Sequence, residues 1–176
     1  MHKEKQENEF NNEIFIKPVG MVKSEIKKPN LVASSGDIEL QKDNKEIREE
    51  AKKIQAMVSE IVIDSSLTGI LDGIEEFSHI MVLYWAHCVP SESRSLTRVH
   101  PMGKKELPLT GIFATCSPAR PNSILVTAVR LLERKENVLK VEGLEAIDGS
   151  PIIDIKPYVP SYYAVEDVKL PDWITG

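Results

Sequence analysis

The chain has 176 residues, 41% of them hydrophobic, and a formal net charge of −5 at pH 7. That length suits one domain with a real core, and the acidity argues against an all-over nucleic-acid binder while leaving room for a local basic patch. No apolar run reaches the ~18–20 residues that cross a bilayer, the charged start Met1–Glu9 lacks a signal-peptide core, and Cys88 and Cys116, the only cysteines, are too few for a disulfide scaffold and lack metal-ligand spacing.

Residues 1–12 read as a disordered polar tail, leaving 13–176 as one domain in a reducing, cytoplasmic setting. Ile14 to Val22 is a strand interrupted by Pro18 and Gly20, hence an edge strand or a bulged one. Residues 27–43 are polar and loop-like. Residues 44–59 predict a helix capped by Asn44, with Ile47, Ala51, Ile54 and Val58 along one face. Ile61–Ile63 is a short strand, and Ser65–Glu76, with Gly69 and Gly73, a loop or short helical turns.

The most apolar run, Phe77–His87, predicts a buried strand, because it is short and rich in β-branched and aromatic residues. His79 and His87 flank it and are expected as hydrogen-bonded core groups. Residues 89–108 form a long polar connection. Within it Arg94, Arg98, Lys104 and Lys105, with His100, outnumber the single acid Glu92 between Ser91 and Lys105, which suggests a phosphate-contacting patch.

Gly111–Asn122 is expected to open as a strand at Ile112, Phe113 and Thr115, then to stiffen at Pro118 and Pro121. Both prolines bias the residue before them to extended geometry, so Arg120 sits on a bent, rigid backbone with Asn122 two residues on. Ile124–Leu132 and Val138–Leu144 make a hairpin about Arg134–Asn137. Asp148-Gly149 signals a tight turn, followed by a strand through Ile152, Ile153 and Ile155 that ends at Pro157. The tail with Tyr162, Tyr163 and Trp173 has no clear period. Short strands with one helix and no βαβ alternation predict a mainly β fold, a small antiparallel β-barrel with one covering helix.

Three segments in this order resemble a known family: Phe77–Trp85, Gly111–Asn122 and Asp148–Tyr158, with Pro18–Val22 before them. It is the TrmO family, also called TsaA-like or YaeB-like. The resemblance runs from about Ile16 to Trp173 and is weakest between Lys27 and Glu60. It implies a β-barrel homodimer that uses S-adenosyl-L-methionine to methylate N6 of a modified adenosine at tRNA position 37. By position it implies cofactor contacts at Trp85, Ala86, Cys116, Val126, Glu145, Ala146, Ile147 and Asp148, with Arg120 and Asn122 as catalytic residues in the same cleft. The basic residues Arg94, Arg98, Lys104 and Lys105 would meet tRNA.

This chain carries Cys116 where the family commonly has Arg, and Arg120-Pro-Asn-Ser-Ile-Leu125 where the family reads Arg-Pro-Asn-Pro-Ile-Gly. A thiol cannot make a guanidinium's forked contact, and Leu125 adds bulk where glycine lets backbone approach a ligand. The reading also expects no counterpart of the extra C-terminal domain that some members carry. These departures keep two alternatives open: a SAM-binding module without tRNA activity, and a methyltransferase for a small molecule. Trp85 offers an aromatic face to adenine or a sulfonium, or is simply core. An adenosine N6 must lose a proton; Asn122 or a carbonyl would orient it, and no general base is evident in the sequence.

Overall fold

The computed structural model describes residues 13–29, 31–33, 38–40 and 44–175. The polar tail expected at 1–12 lies outside the described residues. The elements, in order, are β1 (Gly20–Lys23), β2 (Leu31–Ala33), β3 (Ile38–Leu40), α1 (Asn44–Gln55), β4 (Val58–Ile63), β5 (His79–Trp85), β6 (Arg98–Val99), β7 (Thr110–Gly111), β8 (Ile124–Lys135), β9 (Val138–Glu142), β10 (Pro151–Pro157), α2 (Pro160–Tyr163) and α3 (Asp172–Thr175).

Six strands close a barrel in the order β1-β10-β5-β8-β9-β4, every pair antiparallel. Its interior follows from the two-residue period of a strand. Ile80, Val82 and Tyr84 of β5 point inward, as do Ile61 and Ile63 of β4, Leu139 and Val141 of β9, and Ile152 of β10, and together they form one buried cluster. β8 is long enough to bend, and a register shift between Leu131 and Glu133 marks where it does. A second shift, between Ile152 and Asp154, bends β10 against β5.

The expected edge strand proves to be an internal one. β1 begins after Pro18, pairs on both sides with β4 and β10, and so loses no ladder donor to proline. Gly20 explains how it fits: a Cβ there would run into the Val62 carbonyl oxygen.

Three further expectations are corrected. The stretch read as loop at 27–43 contains the hairpin β2–β3, whose three-residue strands are too short to show a period. The helix expected to reach residue 59 stops at Gln55. Met57 N–H bonds back to the Ile54 carbonyl, and Val58 instead opens β4 by pairing with Glu142 of β9. Of its expected apolar face Ile54 is buried and Ala51 exposed; the side chains of Asn44 and Ile47 lie outside those described. The strand expected at Ile112–Thr115 is a 3-10 turn over Ile112–Ala114, because Thr115 N–H and Oγ1–H both donate to the Ile112 carbonyl.

Outside the barrel, β6 and β7 pair through Arg98–Gly111 and Val99–Thr110. Val99 and Ile112, with Leu96 against them, form a satellite core of their own. Residues 91–119 are therefore a flap with separate packing, set on the barrel at the end of β5.

Candidate functional site

Between this flap and the barrel lies a cleft of about 820 Å³, within the range of ~300–1,000 Å³ usual for small-molecule sites. Its floor is Tyr84, the last inward residue of β5 and only 3% exposed. The Tyr84 hydroxyl donates to the Glu145 carbonyl at 2.7 Å and lies 3.4 Å from Thr127 Oγ1. Burial pushes the Tyr84 phenol above its ordinary pKa, so it remains a neutral donor that fixes the backbone where β9 gives way to the 145–150 loop.

That loop is tied down again at Asp148. Its carboxylate accepts from Ser24 N–H at 3.0 Å and from Lys27 Nζ at 2.8 Å. The Lys27 contact, then the Ser24 N–H, and further on the attraction of His87 hold the Asp148 carboxyl below the usual carboxylate range. The expected tight turn is present: Ser150 N–H bonds to the Ile147 carbonyl at 3.0 Å, with Gly149 at φ 79°. The turn places the buried Ser150 hydroxyl 3.3 Å from His87 Nδ1, and Cys88 Sγ lies 3.3 Å from His87 Nε2. The two histidines expected as core groups are in fact exposed, because each falls just outside the inward register of β5. His79 pairs with Ser78 Oγ at 2.9 Å.

The facing wall is the proline-stiffened stretch. Arg120 closes it from within, Nε donating to the Ser117 carbonyl at 2.7 Å and Nη2 to the Thr115 carbonyl. Ser117 Oγ accepts from Ala119 N–H at 3.2 Å. The guanidinium therefore shapes the loop and does not line the cleft. At the mouth the Phe113 side chain is 80% exposed. On the barrel side Trp85 seats the Arg94 guanidinium, 5.0 Å from the ring centroid. Arg94 Nη2 also reaches the Val89 carbonyl at 3.3 Å.

Of the residues singled out in the sequence, Ala86, Cys116, Val126, Glu145 and Ile147 line the cleft; Trp85, Ala146, Asp148, Arg120 and Asn122 do not. Ala146 is buried in the barrel core, and Asn122 is exposed on the loop beyond Arg120. The sequence reading missed Tyr84, Lys28, Phe113 and Trp173 as lining residues. Tyr84 alone carried a signal, as an inward position of an alternating strand. Lys28 and Glu145 are the charged side chains among the described lining residues, and His87 is the only imidazole.

Among the described residues no cluster of His, Cys, Asp and Glu could hold a metal, and no helix is long and apolar enough to cross a membrane.

Residues 39–164 match the family described as tRNA-methyltransferase O N-terminal domain. A probable S-adenosyl-L-methionine-binding protein of Methanothermobacter thermautotrophicus is 41% identical over 146 residues, which are 83% of this chain and 90% of that protein. The mouse tRNA (adenine(37)-N6)-methyltransferase is 35% identical over 103 residues, 57% of this chain but only 23% of the mouse protein. The crystal structure of TrmO from Pseudomonas aeruginosa superposes with a TM-score of 0.62 at 25% identity, covering 90% of this chain and 61% of that one. The matched span takes in the flap and five of the six barrel strands, β4, β5, β8, β9 and β10, and on that ground the chain belongs to the tRNA-methyltransferase O N-terminal domain family.

Proposed function

We propose that the cleft binds S-adenosyl-L-methionine and that the chain transfers its methyl group to an adenine nitrogen at position 37 of tRNA. The observation that carries this reading is the convergence of Ala86, Cys116, Val126, Glu145 and Ile147, from four separate segments, on one mostly apolar cleft. The residues present fit such a cofactor. Ala86, Val126 and Ile147 supply an apolar wall for an adenine, and Glu145 a polar anchor for ribose hydroxyls. Lys28 supplies the positive charge that a carboxylate needs, since the donors of Arg120 already serve the Thr115 and Ser117 carbonyls. The bound cofactor supplies an electrophilic methyl carbon and a neutral leaving group. The protein's share is to position the acceptor and keep water out. The same reading makes the protein a cytoplasmic homodimer, with the basic residues of the flap meeting RNA.

The relatives named in S-adenosyl-L-methionine-binding terms support the cofactor, and the mouse and human proteins support the acceptor. Cys116 favours a second reading, a cofactor-binding module without tRNA activity, because it leaves the loop wall without the family's arginine.

Calorimetry and thermal shift with S-adenosyl-L-methionine test the first part. Binding should stabilise the fold by about 2.7 kcal/mol at 100 times the dissociation constant. A flat response up to millimolar cofactor would overturn both readings. Methyl transfer from labelled cofactor to tRNA decides between them: cofactor binding without transfer leaves the module.

A further inference from the structure

We infer that His87, which lines the cleft, is the general base of the transfer: the buried Ser150 hydroxyl holds its Nδ1, and its Nε2, beside the exposed Cys88 thiol, takes the proton from the acceptor N–H. The inference rests on the methyltransferase reading above and adds the group that the chemistry needs and the sequence did not show.

A nitrogen acceptor of this class carries a proton that must leave as the new bond forms. The N–C bond is made while the C–S bond breaks, its electron pair staying on sulfur, and the N–H proton passes to an imidazole nitrogen and from there to solvent. A base for this step must lie in the cleft and be unprotonated near neutral pH. The charged side chains of the cleft are Lys28 and Glu145, and His87 is the only imidazole among the described lining residues, the side-chain type most often used for this step.

Its surroundings prepare it for the role. Ser150 is 2% exposed, and its hydroxyl lies 3.3 Å from His87 Nδ1. An Nδ1–H donated to Ser150 leaves Nε2 as the acceptor nitrogen, within hydrogen-bond distance of the exposed Cys88 thiol at 3.3 Å, a contact that the incoming N–H must replace. Ser150 is itself fixed, because the turn that carries it is bound to Ser24 and Lys27 through Asp148. The same carboxylate attracts His87, so an imidazolium formed during transfer has a counter-charge nearby. The ionisable groups around the ring are thus Cys88, Asp148 with its partner Lys27, and, along the cleft, Glu145 and Lys28.

The test is His87→Gln, with Ser150→Ala as a positioning variant, assayed for methyl transfer at saturating cofactor from about pH 5.5 to 9. The parent rate should rise with pH to a plateau, because the base must be unprotonated. His87→Gln should lose about 10²- to 10⁴-fold in kcat and lose that pH step, while cofactor affinity measured by calorimetry stays within about threefold, a factor set well below the catalytic loss. Ser150→Ala should lose less. In ¹⁵N imidazole spectra of the resting protein it should also shift His87 away from the Nδ1–H tautomer, a readout that needs no turnover. A His87→Gln enzyme with near-parental kcat and the same pH step overturns the inference while leaving the methyltransferase reading intact. An acid limb that sits instead in the carboxylate range points to Glu145 and overturns it too. A parent that binds cofactor and methylates nothing overturns the reading beneath it.

Discussion

The carboxylate of Asp148 joins segments 124 residues apart, the end of β1 and the turn before β10. Its folded pKa is depressed, chiefly by Lys27 and Ser24 N–H, so the stability it contributes is fully present above the unfolded value of about 3.9 and is lost as pH falls through the lowered folded value. Asp148→Asn should therefore lower Tm at neutral pH, and the gap to the parent should close on acidification. Thermal melts at a series of pH values check this, and a gap that stays constant down to about pH 3, below the unfolded value, would refute the linkage. At Cys116 the prediction concerns a missing charge. A hydrogen bond to a charged group is worth about 1.5–3 kcal/mol, roughly 10- to 150-fold. Cys116→Arg should raise cofactor affinity or transfer rate by a factor in that range, and Cys116→Ser should change neither; an unaltered Cys116→Arg protein that is still folded would show that the loop wall needs no cation. The prolines around Arg120 were legible as stiffening, because proline acts on its own residue and the one before it. The direction of the guanidinium was not, because it is set by carbonyls that the turn itself presents.

Legibility at the scale of elements followed the strength of the local period. β5, the β8–β9 hairpin, the Asp148-Gly149 turn and β10 were all readable, since each carries several alternating apolar residues or a turn pair. β2, β3, β6 and β7 span two or three residues each and carry no period to read. The basic connection was noticed through its charge, yet its residues divide into two roles. Arg94 is turned in over Trp85 and its Nε is buried without a hydrogen-bond partner, so it fastens the flap to β5. Arg98 and Lys105 are exposed and Lys104 half-buried. Arg94→Ala should lower Tm by removing a contact worth about 0.5–2 kcal/mol, with little effect on the salt dependence of RNA binding. Reversing Arg98, Lys104 and Lys105 to Glu should leave Tm near that of the parent. For a tRNA anticodon stem-loop it should reduce the slope of log K against log salt by about 2, at roughly 0.7 per phosphate contact. Filter binding at several salt concentrations measures it, and a triple variant with parental affinity and slope would mean that this face of the flap does not meet RNA.

For the whole molecule the unresolved balance is apolar surface. The run Ile80–Ala86 lies within the stretch that the sequence marks as a buried strand. In the fold it is used up: Ile80, Val82 and Tyr84 point into the core, and the alternate residues are half-buried where β5 sits between β8 and β10. Barrel closure, which no local pattern announces, is what absorbs it. The surplus lies elsewhere, at Ile14 and Phe15 before β1, exposed 85% and 90%, and at Val165, Val168 and Leu170 beyond α2, exposed 73%, 60% and 54%. Such residues cost little singly, but contiguous ones usually mark an interface. They support the proposed homodimer, because a two-fold pair would let each protomer cover the same segments of the other. Light scattering should give twice the chain mass at micromolar protein. Phe15→Asp combined with Val165→Asp should shift the protein toward monomer without unfolding it, since neither side chain is part of the buried core. A parent that scatters as a monomer at every concentration would remove the homodimer. A dimer unaffected by the paired charges would place its interface on another face of the barrel.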